Sequence, residues 1–128
     1  MIDREHGSAV VEHVMVLALL LVIALGVVQV TLLVHARAVA VASAAEGARA
    51  AAGIGGSPAD AGAAAKRLLE GSLGAAYADG LHCTGSDDRS AGVDEVQVVC
   101  TGPVPLRVLG LGDVTIRVVG HAVRERAP

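Results

Sequence analysis

Residues 14–34 read VMVLALLLVIALGVVQVTLLV, a run of 21 residues that contains no charged side chain. Only Gln29 and Thr31 are polar. At 1.5 Å per residue, an α-helix over this run is about 31 Å long, which matches the hydrocarbon core of a bilayer. The rest of the chain is too small to enclose a helix that is apolar on every face. The run therefore predicts a membrane-spanning helix rather than the buried helix of a soluble protein.

The composition of the whole chain narrows the functions that it can have. Its 128 residues are 53% hydrophobic and 18% charged, which is enough for one domain and too apolar for a disordered chain. Tyr77 is the only aromatic residue, so the side chains that stack on bases or ring cofactors are almost missing. The net charge of −3 gives no basic surface for nucleic acid. We expect no nucleic-acid partner and no small-molecule substrate.

An acidic residue, Glu12, stands just before the apolar run, where residues 7–13 read GSAVVEH. A carboxylate at the edge of lipid is costly unless a cation meets it. Attraction to the positive end of the helix dipole is one structural explanation. Cleavage between Gly7 and Ser8 would instead supply a cation. The new α-ammonium group of Ser8 on one subunit could then neutralise Glu12 of its neighbour. In a bundle of such helices, this pairing would also fix their axial register.

A cleavable secretory signal is the competing interpretation of the apolar run. The apolar stretch of such a signal is typically about 7–15 residues long and is followed by a small-x-small cleavage site. Residues 36–38, Ala-Arg-Ala, offer such a site, and the mature chain would then begin at Val39. The greater length of the run and the mixed charges of residues 3–6 favour a helix that is retained.

Two segments together carry a resemblance to a known family. Residues 7–12, directly before the apolar run, resemble the processing site of type IV prepilin-like proteins. Residues 44–52 read AAEGARAAA and are similar to the "EGAR" segment that follows the membrane helix of TadE-like proteins of the Flp (tight adherence) pilus system. The chain departs from the family pattern at His13, where an aromatic residue is common, and it lacks a proline early in the apolar run.

The resemblance implies a structural subunit, namely a minor pilin-like (pseudopilin) component of a Tad/Flp-type pilus or a related secretion system. It implies that a prepilin peptidase removes residues 1–7 by cutting between Gly7 and Ser8, and that Glu12 serves assembly. The partners would be the membrane, that peptidase, other pilin-like subunits and the Tad assembly machinery. The resemblance also implies a single-pass cell membrane protein with a cytoplasmic N-terminus and an extracytoplasmic C-terminal domain, which could join a cell-surface pilus.

The expected fold class is α+β. Residues 8–35 form the transmembrane helix, residues 36–56 an Ala-rich helical stem that ends in a Gly hinge, and residues 57–128 a small extracytoplasmic domain. The stem consists almost entirely of good helix formers, so the transmembrane helix should continue through it without a break. The EGAR-like segment of the stem consists of Glu46, Gly47, Ala48 and Arg49. Its two charged residues are three positions apart and can therefore pair.

The small domain shows one helical pattern and two strand patterns. Ser57 is a candidate N-cap with Pro58 at the first helical position, and we expect the helix to run to about Ala78. Apolar residues alternate over residues 96–100 and 114–118, and residues 106–108 are a shorter strand candidate between them. The patterns predict an antiparallel sheet of two or three strands with the helix laid across it.

The two cysteines, Cys83 and Cys100, have two open interpretations. In an exported domain they can form a disulfide that stabilises the fold by about 3 kcal/mol. Alternatively, they are reduced and buried and behave as small hydrophobes. Export favours the disulfide.

Residues 82–88 contain His82-Cys83 and Asp87-Asp88, which suggest a nucleophile or a metal site at first sight. No second His or Cys cluster lies at metal-ligand spacing, and a Cys and a His adjacent in sequence seldom face one substrate. We interpret Asp87-Asp88 as an exposed turn. We therefore expect no catalytic residue, no cofactor and no metal ligand.

Two other functions remain open from the residues alone. One is a stand-alone, signal-anchored extracytoplasmic binding module, in which Glu12 has no role and the C-terminal domain binds a ligand. The other is an enzyme that uses the Cys83 thiol.

Overall fold

The computed structural model of the chain describes residues 5–105, 110 and 112–126. Its elements, in chain order, are α1 (Glu5–Ala52), α2 (Pro58–Leu73), α3 (Ala75–Ala78), β1 (His82–Ser90), β2 (Val93–Pro105) and β3 (Asp113–Val123). The strands form one antiparallel sheet in the order β1-β2-β3. The α+β class predicted from the sequence is confirmed.

Helix α1 is continuous over 48 residues and joins the apolar run to the Ala-rich stem, as the sequence predicts. Within the described residues, one helix is long and apolar enough to cross a membrane, and its candidate span is Gly7–Ala52. Residues 7–24 of the helix are exposed on all sides, and Leu21, for example, is 61% exposed. The helix ends before Gly53, where a turn closes with a 3.0 Å hydrogen bond from the Gly56 N–H to the Gly53 carbonyl.

The stem belongs to the hydrophobic core of the small domain. One face of the stem is fully or almost fully buried. Besides Ser43 and Gly47, it consists of Ala36, Ala40, Ala44, Ala48, Ala51 and Ala52. Methyl groups this small allow the neighbouring elements to approach the helix backbone closely. At Gly120 of β3, a Cβ atom would overlap the backbone of Ala44 and Ala45. The sheet therefore rests directly on the backbone of the stem.

Two helices cover one face of the sheet, because the stem lies over β3 and β2 while α2 lies over β1. The buried side chains of this face come from alternate strand positions, which confirms the predicted strand patterns. They are Val96, Val98, Cys100 and Val104 on β2, and Ile116 and Val118 on β3. Leu69 of α2 is fully buried against them. The largest fully buried side chains are only leucines, valines and a cysteine, so the core is thin.

The second helix begins as predicted but ends earlier. The Ser57 hydroxyl accepts a 3.2 Å hydrogen bond from the Ala59 N–H, so the N-cap is confirmed. The helix ends at Leu73 instead of Ala78, because Gly74 adopts φ +84° and ψ 158° and cannot continue it. The residues up to Ala78 form the separate turn α3.

The interpretation of Asp87-Asp88 as a turn is wrong, because both residues lie within β1. The turn that follows β1 is at Ala91 and Gly92, which have φ values of 51° and 82°. Strand β1 is polar and lies at the edge of the sheet, where its backbone pairs with β2 from His82↔Thr101 to Ser90↔Val93. The strand candidate at residues 106–108 lies outside the described residues.

Candidate functional site

The N-terminal part of α1 carries the predicted processing and assembly residues. Gly7, Ser8 and Glu12 are all helical and exposed. Ser8 and Glu12 are one helical turn apart, and Val11, Met15, Val16 and Leu19 line the same surface. Among the side chains that the structure describes, none forms an ion pair with Glu12. Glu12 is therefore an exposed carboxylate surrounded by valine, methionine and leucine.

The EGAR-like segment divides its four residues between two faces of the stem. Glu46 and Arg49 point outward and form the predicted ion pair at 3.0 Å, with side chains 57% and 70% exposed. A pair this exposed adds about 0.2–0.5 kcal/mol to helix stability. Gly47 and Ala48 are buried, and a Cβ on Gly47 would lie 2.7 Å from the Ala61 carbonyl oxygen of α2. The sequence predicts the ion pair, whereas the close contact between helices at Gly47 emerges only from the fold.

The cysteines form a disulfide, Cys83–Cys100. The two residues are directly opposite each other on β1 and β2, so the disulfide links the edge strand to the centre of the sheet. This agrees with the alternative favoured from the sequence. Because Cys83 is oxidised, it has no free thiol for the nucleophilic chemistry that was left open above.

His82 and Cys83 are consecutive in β1, so their side chains point to opposite faces of the sheet. The strand therefore does not bring the imidazole and the sulfur together over one substrate. Across residues 5–105, 110 and 112–126, no group of three or more His, Cys, Asp and Glu side chains is arranged to hold a metal.

A cluster of charged residues lies at the β1–β2 hairpin and was missed by the sequence analysis. Arg124, just after β3, pairs with Asp87 and also donates a 3.5 Å hydrogen bond to the Gly56 carbonyl. The next residue, Glu125, donates its backbone N–H to the Ala52 carbonyl at 2.9 Å. The chain after β3 thus connects the hairpin to the C-terminal end of α1. No sequence pattern indicates these pairs, because the partners are far apart along the chain.

Asp94 lies between two guanidinium groups in this cluster. Arg89 and Arg126 each contact its carboxylate at 2.7 Å. Hydrogen bonds from both guanidinium groups hold the pKa of Asp94 below the ordinary value for aspartate, and the hydrogen bond from Arg126 has the larger effect. The arrangement favours the ionised form and ties the hairpin to the C-terminal segment.

This lowered pKa predicts a pH dependence of stability. The ionised Asp94 contributes stability above the ordinary aspartate pKa, and this contribution is lost as the pH falls through the lower pKa of the folded state. Replacement of Asp94 by asparagine should remove that part of the acid sensitivity. The unfolding temperature of the full chain, measured between pH 6 and pH 3, tests this prediction. If the unfolding temperature fell equally with pH in the parent and Asp94→Asn proteins, Asp94 would not be the source of the acid sensitivity.

These features define a class of protein: a small, disulfide-linked α+β domain packed on the end of one long helix that is apolar enough to span a membrane. Comparison with known families agrees with this description. Residues 7–49 match the family model described as TadE-like protein. Over those residues, the match confirms the resemblance to TadE-like proteins found in the sequence. It covers the apolar helix and most of the stem, whereas the sheet lies outside it. Neither a curated protein nor a solved structure matches the chain.

Proposed function

We propose that this protein is a minor pilin-like subunit of a Tad-type pilus or a related secretion system, with a structural rather than a catalytic role. The observation that carries the proposal is the family match, which begins at Gly7 and includes both Glu12 and the EGAR-like segment. Residues 1–7 act as a leader that a prepilin peptidase removes. Residues 8–35 anchor the chain in the cell membrane, with the N-terminus in the cytoplasm and the small domain outside.

The exposed position of Glu12 supports an assembly role for its carboxylate. A lone carboxylate among apolar side chains is costly in lipid, and an ammonium group beside it lowers that cost. Ser8 precedes Glu12 by four residues, which is about 6 Å along a helix. A neighbouring subunit that is displaced by about one helical turn would bring its new N-terminal ammonium group level with Glu12. The charge pair would then set the axial stagger between subunits.

The packing of the stem restricts which face can take part in assembly. The buried alanine face is already covered by the sheet and α2 of the same chain. The rest of the stem surface is exposed and includes the ion pair of Glu46 and Arg49, as well as Arg37 and Val41. Contacts with other subunits and with the assembly machinery would use this exposed surface. The covered face would hold the domain in place.

We expect Glu12→Gln to abolish assembly without affecting insertion. The substitution keeps the shape of the side chain but removes its charge, which leaves the neighbouring ammonium group unpaired in an apolar layer. The amount of protein recovered with the pilus or its assembly complex should fall at least about tenfold, whereas the amount in the membrane should not change. Glu70→Gln is the matched control, because it removes an exposed glutamate from α2, outside the stem, and should leave assembly intact.

Mass spectrometry of the membrane-extracted protein tests the processing step separately. In cells with a prepilin peptidase, the mature chain should begin at Ser8. A chain that retains Met1 would refute the cleavage, and a chain that begins at Val39 would support the secretory signal instead. Unchanged assembly of the Glu12→Gln protein would refute the role of the carboxylate even if cleavage occurs.

A further inference from the structure

The small domain packs against the C-terminal part of the apolar run of α1. Ala36, two residues after the run, is 3% exposed, and Leu33 packs against the domain core. One turn earlier, Gln29 is only 4% exposed; Leu25 and Gly26 are partly buried, and residues 7–24 are exposed. The covered face of α1 therefore begins inside the apolar run. From Gln29 to the end of the run at Val34 is about 8 Å along the helix.

The direction of β3 shows which end of the sheet lies there. Gly120 contacts the stem at Ala44, and Glu125 is hydrogen-bonded to Ala52, so β3 and α1 run in the same direction. Following β3 backwards leads towards the apolar run. The end of the sheet where β3 begins, which we call the membrane-side end, consists of Val104, Pro105, Asp113, Val114 and Thr115.

The other sides of α1 at this level are apolar and uncovered. Val28, Val30, Leu32 and Val34 are 51%, 62%, 48% and 61% exposed. They continue the surface that is proposed to contact acyl chains, without a polar gap. A lipid environment that covers this part of α1 therefore also meets the membrane-side end of the sheet.

Charge is distributed unevenly along the sheet in a way that fits this placement. Most of the charged side chains lie at the opposite end of the sheet or in the segment just after β3. They are Asp87, Asp88, Arg89, Asp94, Glu95, Arg124 and Arg126. In contrast, Asp113 is the one charged residue of the membrane-side end as defined above. Burial of charge in lipid is costly, so the membrane-side end is the better suited of the two to lie against a bilayer.

We propose that the membrane-side end of the sheet is seated in the headgroup layer of the leaflet from which α1 emerges. The stem then serves as one wall of a domain that rests directly on lipid, and it does not carry the domain above the surface as a stalk. This inference rests on the membrane-spanning role proposed for α1. It goes beyond that role because it assigns a lipid contact to the sheet.

Single tryptophans placed in the full chain test the seating, because the natural sequence contains none. Thr115 and Val123 lie on the same strand, are both exposed and point to the same face of the sheet. They are eight residues apart, or about 26 Å along the strand. Thr115→Trp reports the membrane-side end, and Val123→Trp is the matched control at the far end. Val22→Trp reports the middle of the apolar run.

Each variant is reconstituted at low protein density in vesicles whose phosphatidylcholine is brominated at shallow or deep acyl positions. The shallow bromines should quench Thr115→Trp at least about twofold more strongly than Val123→Trp, and its emission maximum should lie at a shorter wavelength. The deep bromines should quench Val22→Trp most strongly. Quenching of Thr115→Trp should not change when the ratio of protein to lipid is raised, because the contact is with lipid and not with a second copy.

The outcomes separate the two proposals. Strong quenching of Val22→Trp with none at Thr115→Trp would overturn the seating and leave the membrane span intact. Absence of quenching at Val22→Trp would overturn both, since α1 would not enter the bilayer. Equal quenching at both ends of β3 would also refute the seating, because the sheet would then lie flat on the surface.

Discussion

Replacement of Gly120 by alanine is expected to separate the sheet from the stem and to lower the free energy of unfolding of the domain by about 3 kcal/mol. The new Cβ would overlap the backbone of Ala44 and Ala45. Backbone within a long helix cannot rotate away as a side chain can, so the sheet itself must move. Urea denaturation of the full chain in detergent, followed by the fluorescence of Tyr77, measures the loss.

Gly71→Ala is the matched control for this prediction. Gly71 is an exposed residue within α2, and a Cβ there would have no atom within 4 Å. Alanine at an unstrained helical position should raise the stability by about 0.5–1 kcal/mol, because glycine loses more backbone entropy on folding. If both substitutions had the same sign, close contact between the sheet and the stem would not be the factor that requires glycine at position 120.

Removal of the disulfide should have an effect of similar size. The Cys83–Cys100 bond closes a loop with a sequence separation of 17, for which the chain-entropy estimate is about 3 kcal/mol. The core around it is thin, so this contribution is a large part of the stability that a domain of this size has. The double variant Cys83→Ala/Cys100→Ala should therefore unfold at a markedly lower urea concentration.

Chemical reduction provides the internal control for the disulfide. A phosphine reductant should destabilise the parent protein by a similar amount and should leave the double variant unchanged. A parent protein whose urea midpoint does not respond to reduction would show that strand pairing alone holds β1 in place.

The parts of the fold that could be predicted from the sequence are those whose pattern has one physical solution. A 21-residue run without charge favours one long helix that is apolar on every face, and alternating apolar residues at 96–100 and 114–118 favour half-buried strands. Strand β1 could not be predicted, because a polar edge strand is held by backbone pairing with β2 and carries no apolar alternation of its own. The turn residues Ala91 and Gly92 are the signal that could have placed it.

The candidate site also has some features that the sequence predicts and others that depend on the fold. Gly7, Ser8 and Glu12 could be proposed as processing and assembly residues because a short motif precedes the apolar run, and their roles remain predictions. The packing of the stem could not be predicted from the sequence, since alanine is equally suited to contacts with other subunits and to burial beneath its own domain. The ion pair of Asp87 with Arg124 depends on a fold that joins residues 37 positions apart.

The closure of the chain after β3 onto α1 has a consequence for biogenesis. The hydrogen bond from Glu125 to Ala52 joins residues that are 73 positions apart, and the docking of Gly120 on Ala44 spans 76. Folding that depends on such distant contacts is slow, because a long loop must be closed before any contact rewards it. The alanine face of the stem is therefore synthesised 76 residues before the part of β3 that covers it. Until β3 docks, this face of the nascent stem is uncovered.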